Sequence, residues 1–140
     1  MPETQSTGTI TTVLGFDYGR KRIGVAVGQT LTGSSRALTV LKNDGNPSWQ
    51  SIQALIQEWS PNALVVGLPL LADGTRGDMA KAAQRFARTL AEKTGLPVTT
   101  VDERLTSWEA DHAIRESKER ADRDAVAASL IVATYLQGRA

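Results

Sequence analysis

The chain has 140 residues, 41% of them hydrophobic and 22% charged, with no cysteine and a formal net charge of +1. That is one domain of ordinary globular composition, long enough to bury a core. It excludes disulfides, thiolate nucleophiles and sulfur-ligated zinc, and it leaves any affinity for nucleic acid to a local basic patch.

No apolar run approaches the roughly 18 residues of a membrane span, so no membrane partner is expected. The absence of cysteine fits a cytoplasmic location. Residues 1–10 are polar, lack the pattern of a secretory signal, and read as a flexible tail. Residues 11–140 read as a single domain.

From Leu14 to Gly28 the pattern predicts two short strands joined by a tight turn at Gly19. Period two puts Val13, Gly15 and Asp17 on one face of the first strand and Leu14 and Phe16 on the other. Ile23, Val25 and Val27 give the second strand its apolar face. Asp17 is the odd residue, because a carboxylate ending an apolar strand is costly to desolvate without a partner or a metal. Gly24, across the turn, is expected to leave space above it.

A third strand is expected at Arg36 to Leu41. Asn43-Asp44-Gly45-Asn46-Pro47 is a loop, and Ser48 is a good N-cap for an amphipathic helix over Trp49 to Trp59, stopped by Pro61. Leu64 to Gly67 is wholly apolar, as in a strand buried on both faces. Asp73-Gly74 is a turn. Met79, Ala83, Phe86, Ala87 and Leu90 mark a second helix closed by Gly95. Leu96 to Val101 is a further strand. Thr106 and Glu109 form a capping box for a third helix, to Ser117. Glu116 to Asp124 reads as a charged loop or frayed helix. Ala125 to Leu136 is a buried helix of small and apolar residues. This order predicts an α/β domain: one mixed five-stranded sheet, an antiparallel three-strand meander plus two parallel strands, flanked by helices.

Three acidic positions stand at element ends: Asp17 closing the first strand, the Asp102-Glu103 pair after the last, and Asp124 at the start of the final helix. Sites in such sheets form where strand C-termini meet helix starts. Taken singly, Asp17 could form a turn, Asp124 could favour a helix N-terminus, and Asp102 or Glu103 could pair with Arg104. If the three converge, they make a hard-oxygen site for Mg²⁺ or Mn²⁺. Two such ions about 3.5–4 Å apart suit phosphodiester hydrolysis.

The turn residues Arg20, Lys21 and Arg22 lie beside Asp17 and could hold a phosphate backbone or simply be solvated. Arg104 could orient a phosphate or pair with an acid. Thr106 and Ser107 read as helix-cap residues. Trp108 reads as an interface or core residue, with base stacking the alternative. Trp49 and Trp59 belong to a helix core stripe. His112, the only histidine, reads as a bystander, which argues against histidine-ligated zinc.

Phe16-Asp17-Tyr18-Gly19 followed by Arg22-Ile23-Gly24-Val25-Ala26-Val27-Gly28 resembles the opening of the YqgF/RuvX family. Val66-Gly67-Leu68-Pro69-Leu70 with Asp73-Gly74-Thr75 resembles its central motif. Val101-Asp102-Glu103-Arg104-Leu105-Thr106-Ser107 resembles its third, and Asp124-Ala125-Val126-Ala127-Ala128 its last. The likeness runs from Val13 to Gln137.

It implies an RNase H-like nuclease domain related to RuvC-type resolvases. It implies catalytic and metal-holding acids Asp17, Glu103 and Asp124, with Asp102 the alternative to Glu103, and two Mg²⁺ or Mn²⁺ ions. The family is described both as a nuclease maturing the 5′ end of pre-16S ribosomal RNA and as a Holliday junction resolvase. RNA processing ranks first, because a junction resolvase needs two paired active sites and no dimer interface is legible; a monomer or weak homodimer is expected. A non-catalytic nucleic-acid-binding module is the second class of function. A phosphotransferase of the actin-like type is disfavoured, because it needs two such domains.

Overall fold

A computed structural model describes residues 11–71, 73–103 and 120–139. The elements are β1 (Thr12–Tyr18), β2 (Arg22–Gln29), β3 (Ser34–Lys42), α1 (Trp49–Trp59), β4 (Ala63–Leu68), α2 (Asp78–Thr94), β5 (Val98–Asp102) and α3 (Arg120–Arg139). The strands form one sheet in the order β3-β2-β1-β4-β5. β1 pairs antiparallel with β2, and β2 with β3. β1 pairs parallel with β4, and β4 with β5. The expected meander with two added parallel strands is therefore the one observed.

Side-chain alternation assigns each face a helix layer. Leu14, Phe16, Ile23, Val25, Val27, Leu64 and Val66 point to one face, where they bury Ile52 of α1 and Ala83, Phe86 and Leu90 of α2. Val13, Ala63, Val65 and Val101 point to the other, against Ile131 of α3. Ala26 meets Ala128, Val132 and Leu136 there. All six residues of β4 are buried, as an apolar strand covered on both faces requires.

α1 spans the residues expected. Ser48 stands at its N-cap, yet its hydroxyl donates to Ser51 Oγ at 2.9 Å and accepts no backbone N–H. The helix ends at Trp59, with Ser60 in the left-handed region (φ 46°) just before Pro61. α2 closes on Gly95, also left-handed, as predicted.

Three elements differ most from expectation. β3 runs longer, because its whole length has β2 to pair with. β5 starts two residues later and includes Asp102, since Leu64 N–H bonds Pro97 carbonyl and the parallel ladder begins at Val98. α3 is described from Arg120, so residues 120–124 take the helical one of the two states, loop or frayed helix, expected over Glu116 to Asp124. Dense charge forbids burial but not helix, and Ala and Arg are good helix formers. Asp124 is therefore inside α3, beyond the first turn where an N-terminal dipole acts most strongly. The helix expected from Thr106 to Ser117 lies outside the described residues.

Candidate active site

Asp17 sits near the C-terminal end of β1, on the face covered by α3. Its backbone partner across the hairpin is Gly24. A Cβ built on Gly24 would collide with the backbone carbonyl of Asp124. The space left by Gly24 is thus filled by the backbone of α3, which seats Asp124 beside Asp17. A glycine was legible there; what it admits was not.

Glu103 arrives from the opposite direction. β4 lies between β1 and β5, so the two acids stand about two strand spacings apart, ~10 Å between backbones. Gly67 is the β4 residue between them. The Glu103 Oε2 atom lies 2.8 Å from where a Gly67 Cβ would be. The missing side chain lets Glu103 lean across β4 and reach Asp17. Period two also separates the neighbouring acids. Val101 packs on the α3 face with Val13, so Glu103 shares that face and Asp102 points to the other.

The electrostatics follow from this packing. Burial, then the negative charge of Asp124, pushes the Asp17 carboxyl up to about 6, while a hydrogen bond from Glu103 pulls the other way. Burial, then the charge of Asp17 and the hydrogen bond to it, pushes Glu103 up to about 8, with Asp102 adding to the rise. Both shifts describe one arrangement: Glu103 keeps a proton near neutral pH and donates it to the Asp17 carboxylate. Asp124 is held differently. Arg22 Nε donates to its Oδ2 at 2.8 Å, with both side chains about a third exposed (33% and 29%).

Asp17, Glu103 and Asp124 are therefore neighbours, but they do not stand as a finished ligand set. Among the described residues, no three His, Cys, Asp or Glu side chains are placed so as to hold a metal ion. Their chemistry still fits a hard divalent cation. All donors are carboxylate oxygens, and the shared proton of one pair and the guanidinium on the third acid supply the positive charge that a cation would otherwise bring.

The basic turn is divided. Arg22 is engaged by Asp124, and Arg20 Nε lies 3.2 Å from Met79 Sδ at the start of α2. Lys21 is exposed. Arg104, Thr106, Ser107, Trp108 and His112 lie outside the described residues. Trp49 and Trp59 pack as expected for a core stripe, Trp49 stacking on Phe86 at 5.6 Å and Trp59 lying under the Arg36 guanidinium at 5.4 Å.

Sequence reasoning missed Asn43. It is 4% exposed, the one buried polar residue among those described. Its Nδ2 donates to Gly19 carbonyl at 2.6 Å, its Oδ1 accepts from Gly45 N–H at 3.2 Å, and its N–H donates to Lys21 carbonyl at 2.9 Å. Asn43 pins the turn that follows Asp17. Its signal, Asn before Asp-Gly, reads only as a local turn until β3 is laid beside β2.

The family model described as "RuvX: Holliday junction resolvase" matches residues 11–138. The chain belongs to this family. A relative from Azotobacter vinelandii is 49% identical over 133 residues, covering 91% of this chain and 94% of its own length. One from Paraburkholderia xenovorans is 50% identical over 133 residues, covering 94% and 91%. Both carry the name "Putative pre-16S rRNA nuclease". Among solved structures, Thermus thermophilus RuvC in complex with Holliday junction substrate superimposes with a TM-score of 0.60 at 17% identity, over 92% of this chain and 95% of that one. The yeast mitochondrial Holliday junction resolvase follows at 0.53 and 13%, over 91% and 78%. These last two likenesses establish the fold, which the RuvX family thus shares with RuvC: RNase H-like, as the sequence motifs implied.

Proposed function

We propose that this RuvX-family chain is a divalent-metal-dependent endonuclease that hydrolyses phosphodiester bonds and matures the 5′ end of pre-16S ribosomal RNA in the cytoplasm. The observation that carries the reading is the half-buried Asp17–Glu103 pair with Asp124 beside it. Two carboxyls forced to share a proton are strained toward accepting a cation.

Asp17, Glu103 and Asp124 would hold the Mg²⁺ or Mn²⁺, two ions in all. When bound, such ions activate water and stabilise the leaving oxygen of a phosphodiester. The remaining work belongs to the chain. Glu103 would hold an ion as its carboxylate, its proton having passed to solvent. With Asp124 turned to an ion, the Arg22 guanidinium that now pairs with it would be available to a phosphate oxygen. Lys21 and Arg20, on the turn after Asp17, hold the backbone on either side of the scissile phosphate. Arg104, next to Glu103 in sequence, is assigned the same role. Asn43 keeps the turn in register with the acids.

A second reading is resolution of four-way DNA junctions, favoured by the description of the family model and by the likeness to RuvC. It requires two copies of the site in one assembly.

Cleavage of a panel distinguishes the two. The substrates are a 5′-extended pre-16S fragment, plain single-stranded RNA and a four-way DNA junction, each with Mg²⁺ or Mn²⁺. The account expects the ribosomal fragment to be cut and the chain to act as a monomer or weak homodimer. Exclusive cutting of the junction by a dimer selects the second reading. No metal-dependent cutting of any of them removes both and leaves a binding module.

A further inference from the structure

We propose that the loop between β3 and α1 carries a docking site for one unpaired nucleotide of the substrate strand, with its base on Tyr18 and Trp49 and its phosphate on Lys21 and Lys42. The inference rests on the nuclease reading and narrows it, because it makes a single-stranded segment beside Asp17 part of the substrate.

Two cavities flank the loop, and both include Asn46 in their walls. The first, of about 360 Å³, is lined by Tyr18, Trp49, Phe86, Arg85 and Thr89 in addition to Asn46. Its aromatic wall is built from below. Phe86 is buried and packs against Tyr18 at 4.9 Å and Trp49 at 5.6 Å. The two upper rings are themselves only half-buried. Arg85 is exposed at the rim, and the exposed Lys93 ammonium stands 5.3 Å from the Trp49 ring. The second cavity, of about 450 Å³, is lined by Lys21, Arg22 and Lys42 together with Asn43, Asp44 and Ser48. Lys21 and Lys42 are exposed, and Arg22 is the residue that holds Asp124.

An aromatic cavity with cations at its rim, joined across one loop to a basic one, has the complementarity of a nucleotide: a π-face and a phosphate. The first cavity is near the small end of ligand pockets, about 300–1,000 Å³. A base stacked within a duplex cannot enter it, whereas a splayed one can. Position supports the assignment. Tyr18 directly follows Asp17, Lys21 comes from the turn between β1 and β2, and Arg22 opens β2. A strand crossing the end of β1 meets the acids on one face of the sheet and the rings on the other.

The test uses the full chain without divalent metal, so that no cleavage is required. Trp59→Phe and Trp108→Phe leave Trp49 as the fluorophore. Titration with an unpaired hexaribonucleotide, the matching hexadeoxyribonucleotide and a blunt duplex reads binding through Trp49 emission. The proposal expects saturable quenching by the unpaired strands and at least tenfold weaker binding of the duplex. Equal affinity for the two unpaired strands assigns the site to base and phosphate alone, and a preference for RNA adds the 2′-hydroxyl; either result supports it. Tyr18→Leu and, separately, the surface change Arg85→Ala should each weaken binding about tenfold. Quenching by neither strand, equal affinity for duplex and single strand, or unchanged binding by the folded Arg85→Ala protein overturns it. The unpaired-strand signal together with no Mg²⁺- or Mn²⁺-dependent cutting would keep the docking site and remove the nuclease reading.

Discussion

Among the described residues, Glu103 is the one whose protonation is most altered by the fold. Its pKa of about 8 and that of Asp17, about 6, both lie above the ordinary carboxylate values of 4.5 and 3.8. The folded protein therefore binds more protons than the unfolded chain between about pH 4 and pH 8. Stability from these groups is fully present below the unfolded values and is lost as pH rises through the folded ones. Metal-free protein should accordingly melt lower at pH 8.5 than at pH 5.5. Glu103→Gln, which keeps the shape and removes the titration, should flatten that fall and raise metal-free stability at pH 8.5 by on the order of 2 kcal/mol. Denaturant titrations at the two pH values measure it. Mn²⁺ should restore the wild type at high pH and not the variant. At this scale the sequence was informative about Asp17, because a carboxylate in an apolar strand is an anomaly that local pattern exposes. The Arg22–Asp124 ion pair was not legible, since it joins residues 102 positions apart and nothing local distinguishes that arginine from its two basic neighbours.

At the scale of elements, the site depends on how closely α3 lies on the sheet. Gly24 permits the contact at Asp124, and Gly15 and Gly28 both abut Val132 further along the helix. Gly24→Ala should push the start of α3 away and cost about 1–3 kcal/mol, as overpacking does, with loss of the Arg22–Asp124 pair. Gly138→Ala, in the last turn of the same helix with open space around it, should be neutral or stabilise by up to ~1 kcal/mol through helix propensity. Thermal or chemical denaturation of the two variants separates close packing from propensity. The helices and strands themselves were readable, because hydrophobic period identifies them: α1 matched end to end, and β4 and α2 nearly so. The helical state of residues 120–124 was only half legible, because dense charge fits a loop and a frayed helix equally. The docking of α3 across the glycines was hidden, since a glycine in a strand announces an absent side chain without saying what takes its place.

Across the whole molecule, the order β3-β2-β1-β4-β5 does the gathering. It sets the last strand two places from the first, with only β4 between them, and so brings residue 103 within reach of residue 17. Element order implied a mixed sheet but left that arrangement open, and the four family motifs carried the inference past local pattern. No helix among the described residues is long and apolar enough to cross a membrane, and the net charge of +1 leaves attraction for a polyanion to the surface around the β1–β2 turn. Asn43→Ala, which unpins that turn from a distance, should cost about 1–3 kcal/mol for the donors and acceptors left unmade, and should reduce cutting with all three acids intact; denaturation and cleavage assays on one preparation read both.

The most direct measurement is metal-dependent cutting of the 5′-extended pre-16S fragment by wild type and by Asp17→Asn, both shown folded by circular dichroism. The account predicts cutting with Mg²⁺ or Mn²⁺ by the wild type and a loss of at least about a hundredfold in the variant. Full activity in a folded Asp17→Asn protein would contradict it.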